Sequence, residues 1–348
     1  MADNILFVKN EAAFGEKLAE IIELYDPKTQ FFVLVDSNTK KHCYPIVKPF
    51  LPKNSYVITI KAGEKHKNLD TVQHIWSELI RKNADQHAVL IVLGGGTVSD
   101  VGALAASLYK RGIKFINIPT TNLAMTDAAM GGKTAVNFGG FKNTVGNFSE
   151  SEKIVIYTQF LSTLPKKQLL NGFAETIKHA LIADENLFET LQNTDIFTEN
   201  DYIQASAHIK QAVVKQDYYE KNIRKTLNYG HTIGHAVEGC FLSTKTPLLH
   251  GEAVAMGMVV ENFLAVEIGI LSQKNANTAN DFIYSHYKNE FRAINHELIK
   301  KYLKQDKKNK NKIIYFSLIT KIGTSVYNQT ATQAQLQTAL SKYNAAYT

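Results

Sequence analysis

Three residues in the second half of the chain have the side chains that a catalytic metal site requires. Glu175 lies in a Phe-Ala-Glu-Thr-Ile-Lys-His sequence, His231 begins a His-Thr-Ile-Gly-His sequence, and His250 precedes Gly-Glu-Ala-Val. A carboxylate and two neutral imidazoles leave a position on Zn²⁺ open for water or substrate. His235, one helical turn beyond His231, could be a further ligand or a proton carrier. The alternative is that each histidine is a satisfied polar group at a helix end.

A glycine-rich turn in the first half could bind an anion. Leu93 ends an apolar segment, and Gly94-Gly-Gly-Thr-Val-Ser-Asp-Val-Gly102 leads into the alanine-rich helix Ala103–Leu108. Glycine lets a backbone approach a ligand closely, and the N–H groups at a helix start favour an anion such as a dinucleotide pyrophosphate. The spacing differs from the usual G-x-G-x-x-G pattern, so a turn that is tight for steric reasons alone is the alternative.

Two further polar loops follow predicted strands. Asp36-Ser-Asn38 comes after one of them, where an acidic side chain could bind ribose hydroxyls, and Gly63-Glu-Lys-His-Lys67 comes after another. Together with the glycine-rich turn, these loops lie at the carboxyl ends of strands. That is the side on which open parallel sheets bind their ligands.

Cationic side chains cluster in the centre of the chain. Lys133 follows two glycines and precedes a threonine, as at the end of a Walker A loop, but the first glycine of that motif and a preceding strand are absent. We therefore exclude a P-loop ATPase. Lys133, Lys142 and Arg111 could instead bind a phosphate, and Arg224 could bind a phosphate or a carboxylate with its planar fork.

The first half alternates strand-like with helix-like segments. Short apolar segments rich in β-branched residues predict strands at Phe31–Val35, Tyr56–Ile60, Ala88–Leu93 and Lys114–Ile118, and amphipathic segments predict helices at Phe14–Leu24 and Leu69–Arg81. This alternation predicts a parallel sheet with right-handed crossovers.

Helical periodicity dominates after about Leu161. The predicted helices are Lys166–Ala183, Tyr202–Lys215, His231–Phe241 and Glu252–Ile268, and Ile313–Ile319 is predicted as a strand or hairpin. Pro165 suits the first turn of a helix. We therefore expect an α/β domain over residues 1–161 and a mainly α-helical domain over residues 162–348.

Composition limits the class of protein. The 348 residues, 45% of them hydrophobic, suffice for one large or two ordinary domains. No apolar run reaches the roughly 18–20 residues that span a bilayer, and the N-terminus lacks a signal-peptide pattern. Two cysteines are too few for a disulfide framework, so we expect a reducing cytoplasm.

The formal net charge of +7 raises the question of an anionic partner. Lys300–Lys312 contains seven lysines, with Tyr302 as its one aromatic residue, so a solvated basic segment is favoured over a nucleic-acid surface. An anionic small-molecule substrate explains basic residues elsewhere equally well.

Taken together, the motifs resemble those of the 3-dehydroquinate synthase family. They are Gly94-Gly-Gly-x-x-x-Asp100, Arg111-Gly, Pro119-Thr-Thr121, Asp127, Gly131-Gly-Lys-Thr134, Lys142-Asn143, Ala174-Glu-x-x-Lys178, Arg224-x-x-Leu-Asn-x-Gly-His-Thr-x-Gly-His-Ala-x-Glu238, His250-Gly-Glu-Ala-Val and Asp306-Lys-Lys308. The match runs in order over nearly the whole chain. Many independent motifs at consistent spacing are far more specific than any one of them.

The resemblance implies a Rossmann-like NAD-binding α/β domain, a helical metal-binding domain and an active site in the cleft between them. It also implies a homodimer in which Arg111 matches an arginine that reaches the substrate phosphate of the neighbouring subunit. The implied cofactors are NAD and Zn²⁺ or Co²⁺, and no nucleic acid or membrane partner is expected. Glu175, His231 and His250 correspond to the metal ligands.

The remaining site residues also follow from the resemblance. The implied NAD contacts are Asp36, Asn38, Glu64, Lys67, Gly95, Gly96, Asp100, Thr120, Thr121, Asp127, Lys133, Lys142, Thr163 and Leu164. The implied substrate contacts are Asp127, Lys133, Asn143, Lys178, Lys210, Arg224, Asn228 and His235. One of Lys307 and Lys308 is expected to enter the site.

The chemistry implied by the family is a phosphorus–oxygen lyase reaction. The substrate would be 3-deoxy-D-arabino-heptulosonate 7-phosphate, and the products 3-dehydroquinate and phosphate, in the shikimate pathway. NAD would oxidise C5 transiently, which acidifies C6 and permits phosphate elimination, before reduction, ring opening and aldol closure. Lys133, Asn143 and Arg111 would bind the phosphate, and Lys210 and Arg224 the carboxylate. His235 would manage protons near the metal.

The sequence departs from the family pattern in two loops. The family usually has an acidic residue at Tyr218 and a glycine at Asn222, and the stretch Met125–Met130 differs from the commoner sequence. Asparagine tolerates the left-handed backbone that a glycine at 222 would supply. We expect these changes to affect loop shape and to leave the chemistry intact.

Three alternatives remain at this level. Another sugar-phosphate cyclase would share the metal and NAD sites but lack a full carboxylate clamp, which Lys210 and Arg224 provide. A metal-dependent polyol dehydrogenase typically uses an aspartate-plus-histidine set and needs no phosphate-binding lysines. A non-catalytic basic binding protein would not need the combined metal, NAD and anion residues.

Overall fold

The structure is a computed structural model that describes residues 4–139, 141–242, 244–304 and 313–348. The chain folds into two compact units, Met1–Leu169 and Leu170–Thr348. The sequence places the division at residues 161 and 162, a few residues before this boundary, which lies inside the helix Lys166–Ala183.

The first unit is built around a six-stranded parallel sheet. The strands of the sheet are β1 (Ile5–Val8), β2 (Phe31–Asp36), β3 (Tyr56–Ile60), β4 (Val89–Gly94), β5 (Lys114–Pro119) and β8 (Lys153–Tyr157). Strands β6 (Val136–Phe138) and β7 (Phe141–Val145) form a separate hairpin. The strand order in the sheet is β1-β8-β5-β4-β2-β3. In the centre, Leu34 of β2 pairs with Val92 of β4, and every residue of β4 is buried.

Helices cover this sheet. They are α1 (Glu11–Glu23), α2 (Ser37–His42), α3 (Tyr44–Val47), α4 (Leu69–Arg81) and α5 (Gly96–Leu108). Local capping fixes where they begin, since Asn10 accepts a hydrogen bond from the Ala13 amide and Asn68 from the Thr71 amide. The predicted α/β architecture is confirmed.

The order of the strands defines a ligand-binding edge. The chain leaves β2 towards β3 on one side of the sheet and leaves β4 towards β5 on the other. The carboxyl ends of β2 and β4 therefore flank a topological switch point, where open α/β sheets bind ligands. Asp36 and the Gly94–Gly96 turn lie at these two ends.

The second unit is mainly helical, as predicted. It contains most of α6 (Lys166–Ala183), followed by α7 (Glu185–Leu191), α8 (Asp201–Gln216), α9 (His231–Phe241), α10 (His250–Glu267), α11 (Gln273–Tyr287), α12 (His296–Lys304) and α13 (Gln333–Tyr347). An antiparallel hairpin of β9 (Phe316–Lys321) and β10 (Thr324–Gln329) completes the unit. Helix α10 forms its centre, with fifteen of its residues buried.

Most predicted elements match the observed bounds closely. The predicted helices Leu69–Arg81, Lys166–Ala183 and His231–Phe241 have the same ends in the structure. Pro165 lies just outside α6, where its carbonyl accepts hydrogen bonds from the Gln168 and Leu169 amides. The helix after the glycine-rich turn begins at Gly96, earlier than Ala103, because the turn itself supplies its first residues.

The two cysteines are expected to be unreactive in the folded protein. Burial, with the charge of Asp36, raises the pKa of the Cys43 thiol to about 12, and burial raises the pKa of Cys240 to about 11. Because the thiolate is the reactive form, an aromatic disulfide reagent at pH 8 should modify neither thiol rapidly. Unfolding in denaturant should release two reactive thiols per chain, and rapid labelling of the native protein would contradict this prediction.

Among the described residues, no helix has the length and apolar character needed to cross a membrane.

Candidate active site

Glu175, His231 and His250 converge within the second unit. Oε1 of Glu175 lies 3.4 Å from Nε2 of His231 and 3.3 Å from Nε2 of His250. The Glu175 side chain is fully buried, whereas those of His231 and His250 are 11% and 29% exposed. One carboxylate oxygen in the interior therefore faces the imidazole nitrogens of two less completely buried side chains.

The spacing of these three atoms fits a metal ion better than it fits hydrogen bonds. Among the described residues, Oε1 of Glu175 has no hydrogen-bond partner of good geometry, and a good hydrogen bond to an imidazole would be about 2.9 Å long. Ligands about 2.0–2.1 Å from a tetrahedral Zn²⁺ are separated by roughly 3.3–3.4 Å. The donor set thus has the chemistry of a three-residue zinc site, and the distances from Oε1 to the two imidazole nitrogens match those expected for such a site.

Charges around Glu175 keep it ionised. Lys178, one helical turn further along α6, forms an ion pair with Oε2 and is 1% exposed. Burial alone would raise the pKa of Glu175, but the Lys178 ammonium and the imidazoles of His231 and His250 outweigh burial and hold that pKa well below its usual value. Since Lys178 pairs with Oε2, Oε1 is the oxygen directed at the imidazoles.

The two histidines differ in their protonation. Burial lowers the pKa of His231 more than the charge of Glu175 raises it, which favours the neutral imidazole that binds metals. Burial also acts to lower the pKa of His250, but the neighbouring carboxylates of Glu175 and Glu238 raise it to about 10. A metal ion that binds here would therefore displace a proton from His250.

An oxygen atom lies near the other nitrogen of each imidazole. Nδ1 of His231 lies 3.1 Å from the carbonyl oxygen of Tyr229, and Nδ1 of His250 lies 3.6 Å from Oε2 of Glu238. A carbonyl or carboxylate on the far nitrogen is the usual support of a metal-binding histidine, because it fixes the ring with the free nitrogen towards the ion. Sequence motifs alone give Glu238 no such role, although its position seven residues after His231 places both on one face of α9.

Close packing of α9 against α10 brings the histidines together. A Cβ atom on Gly257 would lie 2.1 Å from the Gly230 carbonyl oxygen and 2.6 Å from the Gly234 amide nitrogen. Glycine at 257 therefore permits an approach between the two helices that any side chain would prevent. This approach positions the first turn of α9, which carries His231, against α10, which begins with His250.

His235 lies beside the triad. Its ring centroid is 5.3 Å from that of His231 and 5.8 Å from that of His250, and the three histidines can bring ligand atoms within 4.8 Å of one another. His235 is exposed, unlike the buried Glu175. Both predicted roles, a further ligand and a proton carrier, are compatible with this position.

Two of the predicted nucleotide residues, Asp36 and Gly95, lie at the switch point of the sheet. Asp36 ends β2, and its Oδ1 accepts hydrogen bonds from the Asn38 and Thr39 amides, 2.9 and 2.8 Å away. It therefore caps α2 in addition to its predicted role. Gly95 is the N-cap of α5, and a Cβ there would lie 2.8 Å from Cγ2 of Thr121, so packing within the protein alone requires glycine at this position.

A polar network links residues that are distant in the sequence. Lys67 is buried, and its ammonium forms an ion pair with Asp100 and a hydrogen bond to Oδ1 of Asn143. Glu64 accepts hydrogen bonds from Thr97 and Asn137. The loop after β3, the start of α5 and the β6–β7 hairpin therefore meet on one side of the sheet.

The other predicted residues of the first unit lie in loops and at strand ends. Thr120 and Thr121 follow β5, and Asp127 lies in the five-residue π-helix Ala124–Ala128, a local geometry that is frequent at functional sites. After β8, Thr163 is the last residue of a 3₁₀ helix, and Leu164 is the C-cap of that helix. Arg111, Lys133 and Lys142 are exposed.

The loop between α8 and α9 positions Arg224. Asp217 accepts hydrogen bonds from the Lys221, Asn222 and Arg224 amides, and these outweigh burial to lower the pKa of Asp217. The Arg224 side chain is buried and donates a hydrogen bond to the carbonyl of Tyr218. Its guanidinium is therefore held by the same loop in which Tyr218 and Asn222 depart from the family pattern.

The backbone at Asn222 does not use the left-handed conformation that asparagine tolerates. Asn222 has φ −134°, and Glu220 is the residue of this loop with a positive φ, 58°. The hydrogen bonds that Asp217 accepts fix Asn222 outside the left-handed region. Glu220 in turn accepts a 2.6 Å hydrogen bond from Asn228, one of the predicted substrate residues.

Two of the predicted lysines lie on helices of the second unit. Lys178 and Lys210 are buried cationic side chains on α6 and α8. Lys307 and Lys308 lie outside the described residues.

Known proteins resemble this chain in sequence over most of its length. The family model described as 3-dehydroquinate synthase N-terminal matches residues 57–171, and the one described as 3-dehydroquinate synthase C-terminal matches residues 172–309. A 3-dehydroquinate synthase of Parabacteroides distasonis is 36% identical over 326 residues, which cover 91% of this chain and 92% of that protein.

Solved structures share the fold. A 2-epi-5-epi-valiolone synthase from Streptomyces hygroscopicus, with NAD⁺ and Zn²⁺ bound, has a TM-score of 0.86 at 24% identity, covering 99% of this chain and 97% of its own. A 2-deoxy-scyllo-inosose synthase complexed with carbaglucose-6-phosphate, NAD⁺ and Co²⁺ has a TM-score of 0.83 at 24% identity, covering 97% and 96%. At this identity, the likeness establishes the fold alone.

Proposed function

Because this chain belongs to the 3-dehydroquinate synthase family, we propose that it converts 3-deoxy-D-arabino-heptulosonate 7-phosphate to 3-dehydroquinate and phosphate. The reaction would be that of a phosphorus–oxygen lyase in the shikimate pathway. A homodimer, in which Arg111 serves the phosphate site of the neighbouring subunit, and a cytoplasmic location are parts of the same proposal.

The observation that carries this proposal is the convergence of Glu175, His231 and His250. Oε1 of Glu175 lies 3.4 and 3.3 Å from the two imidazole nitrogens, the pKa of the Glu175 carboxyl is well below its usual value, and an oxygen atom lies near the far nitrogen of each imidazole. We propose that this triad holds Zn²⁺ or Co²⁺. Bound there, the metal would act as a Lewis acid towards substrate hydroxyls, and bound NAD would serve as a reversible hydride acceptor.

The first unit would hold NAD at the switch point of its sheet. The first turn of α5 offers backbone N–H groups at Gly95 and Gly96 for the pyrophosphate. The ion pair of Lys67 with Asp100 and the hydrogen bonds of Glu64 fix the surrounding loops. The remaining proposed contacts are Asp36, Asn38, Thr120, Thr121, Asp127, Lys133, Lys142, Thr163 and Leu164.

Charged side chains would hold and orient the substrate anions. Lys133, Asn143 and Arg111 supply positive charge and an amide for the phosphate. Lys210 and Arg224 are buried cations suited to a carboxylate, and retention of both favours dehydroquinate synthase over other sugar-phosphate cyclases. His235 is exposed beside the triad and would carry protons, while Lys178 keeps Glu175 ionised.

We expect catalytic, not stoichiometric, amounts of NAD to sustain turnover. The reason is that the proposed dinucleotide site is combined with a proposed site for a phosphate leaving group, and in the proposed reaction the hydride is returned before the product leaves. The test follows absorbance at 340 nm while the carbocyclic product is identified by NMR. NADH that accumulates in step with product would identify a polyol dehydrogenase instead.

A further inference from the structure

A buried carboxylate on α10 contacts the first turn of α9. Glu261 is fully buried. Its Oε2 lies 2.7 Å from the amide nitrogen of Gly230, and its Oε1 lies 3.1 Å from that of Ile233. These two amides flank His231 on either side, so a single side chain holds both ends of the backbone segment that carries this proposed metal ligand.

Glu261 replaces the cap that the sequence of α9 does not provide. The N-cap residue is Gly230, which has no side chain to accept a hydrogen bond from the first turn. An aspartate, serine or threonine at this position would normally bind the amide that Glu261 binds at Ile233. A carboxylate at the positive end of a helix is also stabilised by the helix dipole.

A second contact from the next residue of α10 acts on the same segment. The Tyr229 hydroxyl donates a 2.6 Å hydrogen bond to Oδ1 of Asn262. The carbonyl oxygen of Tyr229 is the acceptor that faces Nδ1 of His231. The backbone before His231 and the acceptor that orients its ring are thus both attached to α10, the helix that begins with His250.

We infer that Glu261 is a positioning residue for the metal centre. By capping α9 from α10, it fixes the His231 backbone before any ion binds and so sets the distance between the two proposed histidine ligands. The inference rests on the proposed function, because it assumes that His231 binds a metal. The inference adds that zinc affinity depends on the Glu261 carboxylate as well as on the three ligands.

The test compares the zinc affinity of Glu261→Gln with that of the wild type. Glutamine keeps the size of the side chain but presents an NH₂ group to one of the two backbone N–H groups, so one cap bond is lost. We expect the dissociation constant for Zn²⁺, measured by competition with a chromogenic chelator, to rise about 10- to 100-fold. Helix content by circular dichroism should remain that of the wild type.

Glu267→Gln is the matched control. Glu267 lies on the last turn of the same helix, and its carboxylate pairs with Lys342. The substitution makes the same chemical change away from α9, so zinc affinity should equal that of the wild type.

The possible failures are distinguishable. If the wild type binds no stoichiometric zinc, the proposed metal centre itself is wrong. If the wild type binds zinc and Glu261→Gln binds it equally well, the metal centre stands and the positioning role of Glu261 is wrong.

A measurement on the wild type covers the case in which Glu261→Gln does not fold. Amide hydrogen exchange over the first turn of α9 should already be slow in the metal-free protein, because Glu261 holds the Gly230 and Ile233 amides. Rapid exchange of this turn without zinc, followed by protection on zinc addition, would mean that the metal organises the turn and would overturn the inference.

Discussion

His250→Ala is expected to abolish stoichiometric zinc binding and to lower kcat/KM by more than about a hundredfold. Loss of residues that merely support a metal ligand costs about 10–100-fold, so loss of a ligand should cost more. The protein should still fold, because α10 has buried, mostly apolar residues along its length that do not depend on the metal. Metal content per chain and turnover are the measurements, with His87→Ala, an exposed histidine of the first unit, as the control.

Glu175→Gln should have the same effect on metal and activity but a larger effect on stability. It removes the charge that balances the buried Lys178 ammonium, and breaking a buried ion pair from one side costs about 3–5 kcal/mol. A variant of either kind that keeps one tightly bound metal ion and normal turnover would show that the ligand assignment is incorrect.

Arg224→Lys is expected to reduce kcat/KM for the acidic substrate about tenfold to a hundredfold. The substitution keeps the charge but loses the planar fork that binds a carboxylate through two hydrogen bonds. Loss of one charged hydrogen bond, about 1.5–3 kcal/mol, corresponds to this range. Metal and NAD binding should be preserved. Arg292→Lys, at a guanidinium that donates to the Thr246 carbonyl, is the control and should leave turnover unchanged.

The decisive comparison for Arg224 uses two substrates. The wild type should prefer the acidic sugar phosphate to a heptose phosphate that lacks the carboxylate, and Arg224→Lys should narrow that preference. If the wild type prefers the neutral sugar phosphate, or if the variant loses both activities equally, Arg224 does not bind the carboxylate and another cyclase reaction becomes the better proposal.

The sequence predicts elements whose signal is local. The strands β2 to β5 are short apolar runs with β-branched residues, and α4 and α9 have clear helical periodicity, so their bounds are close to those observed. The sequence does not predict the edge strand β1 (Ile5–Val8) or strand β8 (Lys153–Tyr157). Strand β1 has only four residues, and the places of β1 and β8 in the sheet follow from the pairing of β8 with β1 and β5, which the sequence pattern does not show.

The residues of the candidate site also differ in whether the sequence identifies them. Residue types and spacing identify Glu175, His231 and His250, and the structure brings them together. Glu238 lies near His250 of another helix, and Glu261 reaches the first turn of α9 from α10, so both contacts depend on how these helices pack. The shape of the loop at Asn222 is also not given by residue types, since the carboxylate of Asp217 holds that loop through hydrogen bonds to its amides.

Phosphate release from 3-deoxy-D-arabino-heptulosonate 7-phosphate tests the central claim most directly. The purified protein is supplied with NAD at a small fraction of the substrate concentration and assayed before chelation, after chelation and after Zn²⁺ is restored. We expect one phosphate and one 3-dehydroquinate per substrate consumed, loss of both on chelation, and recovery with Zn²⁺. No phosphate release with NAD and metal present, or release that is unchanged after complete removal of the metal, would contradict the account.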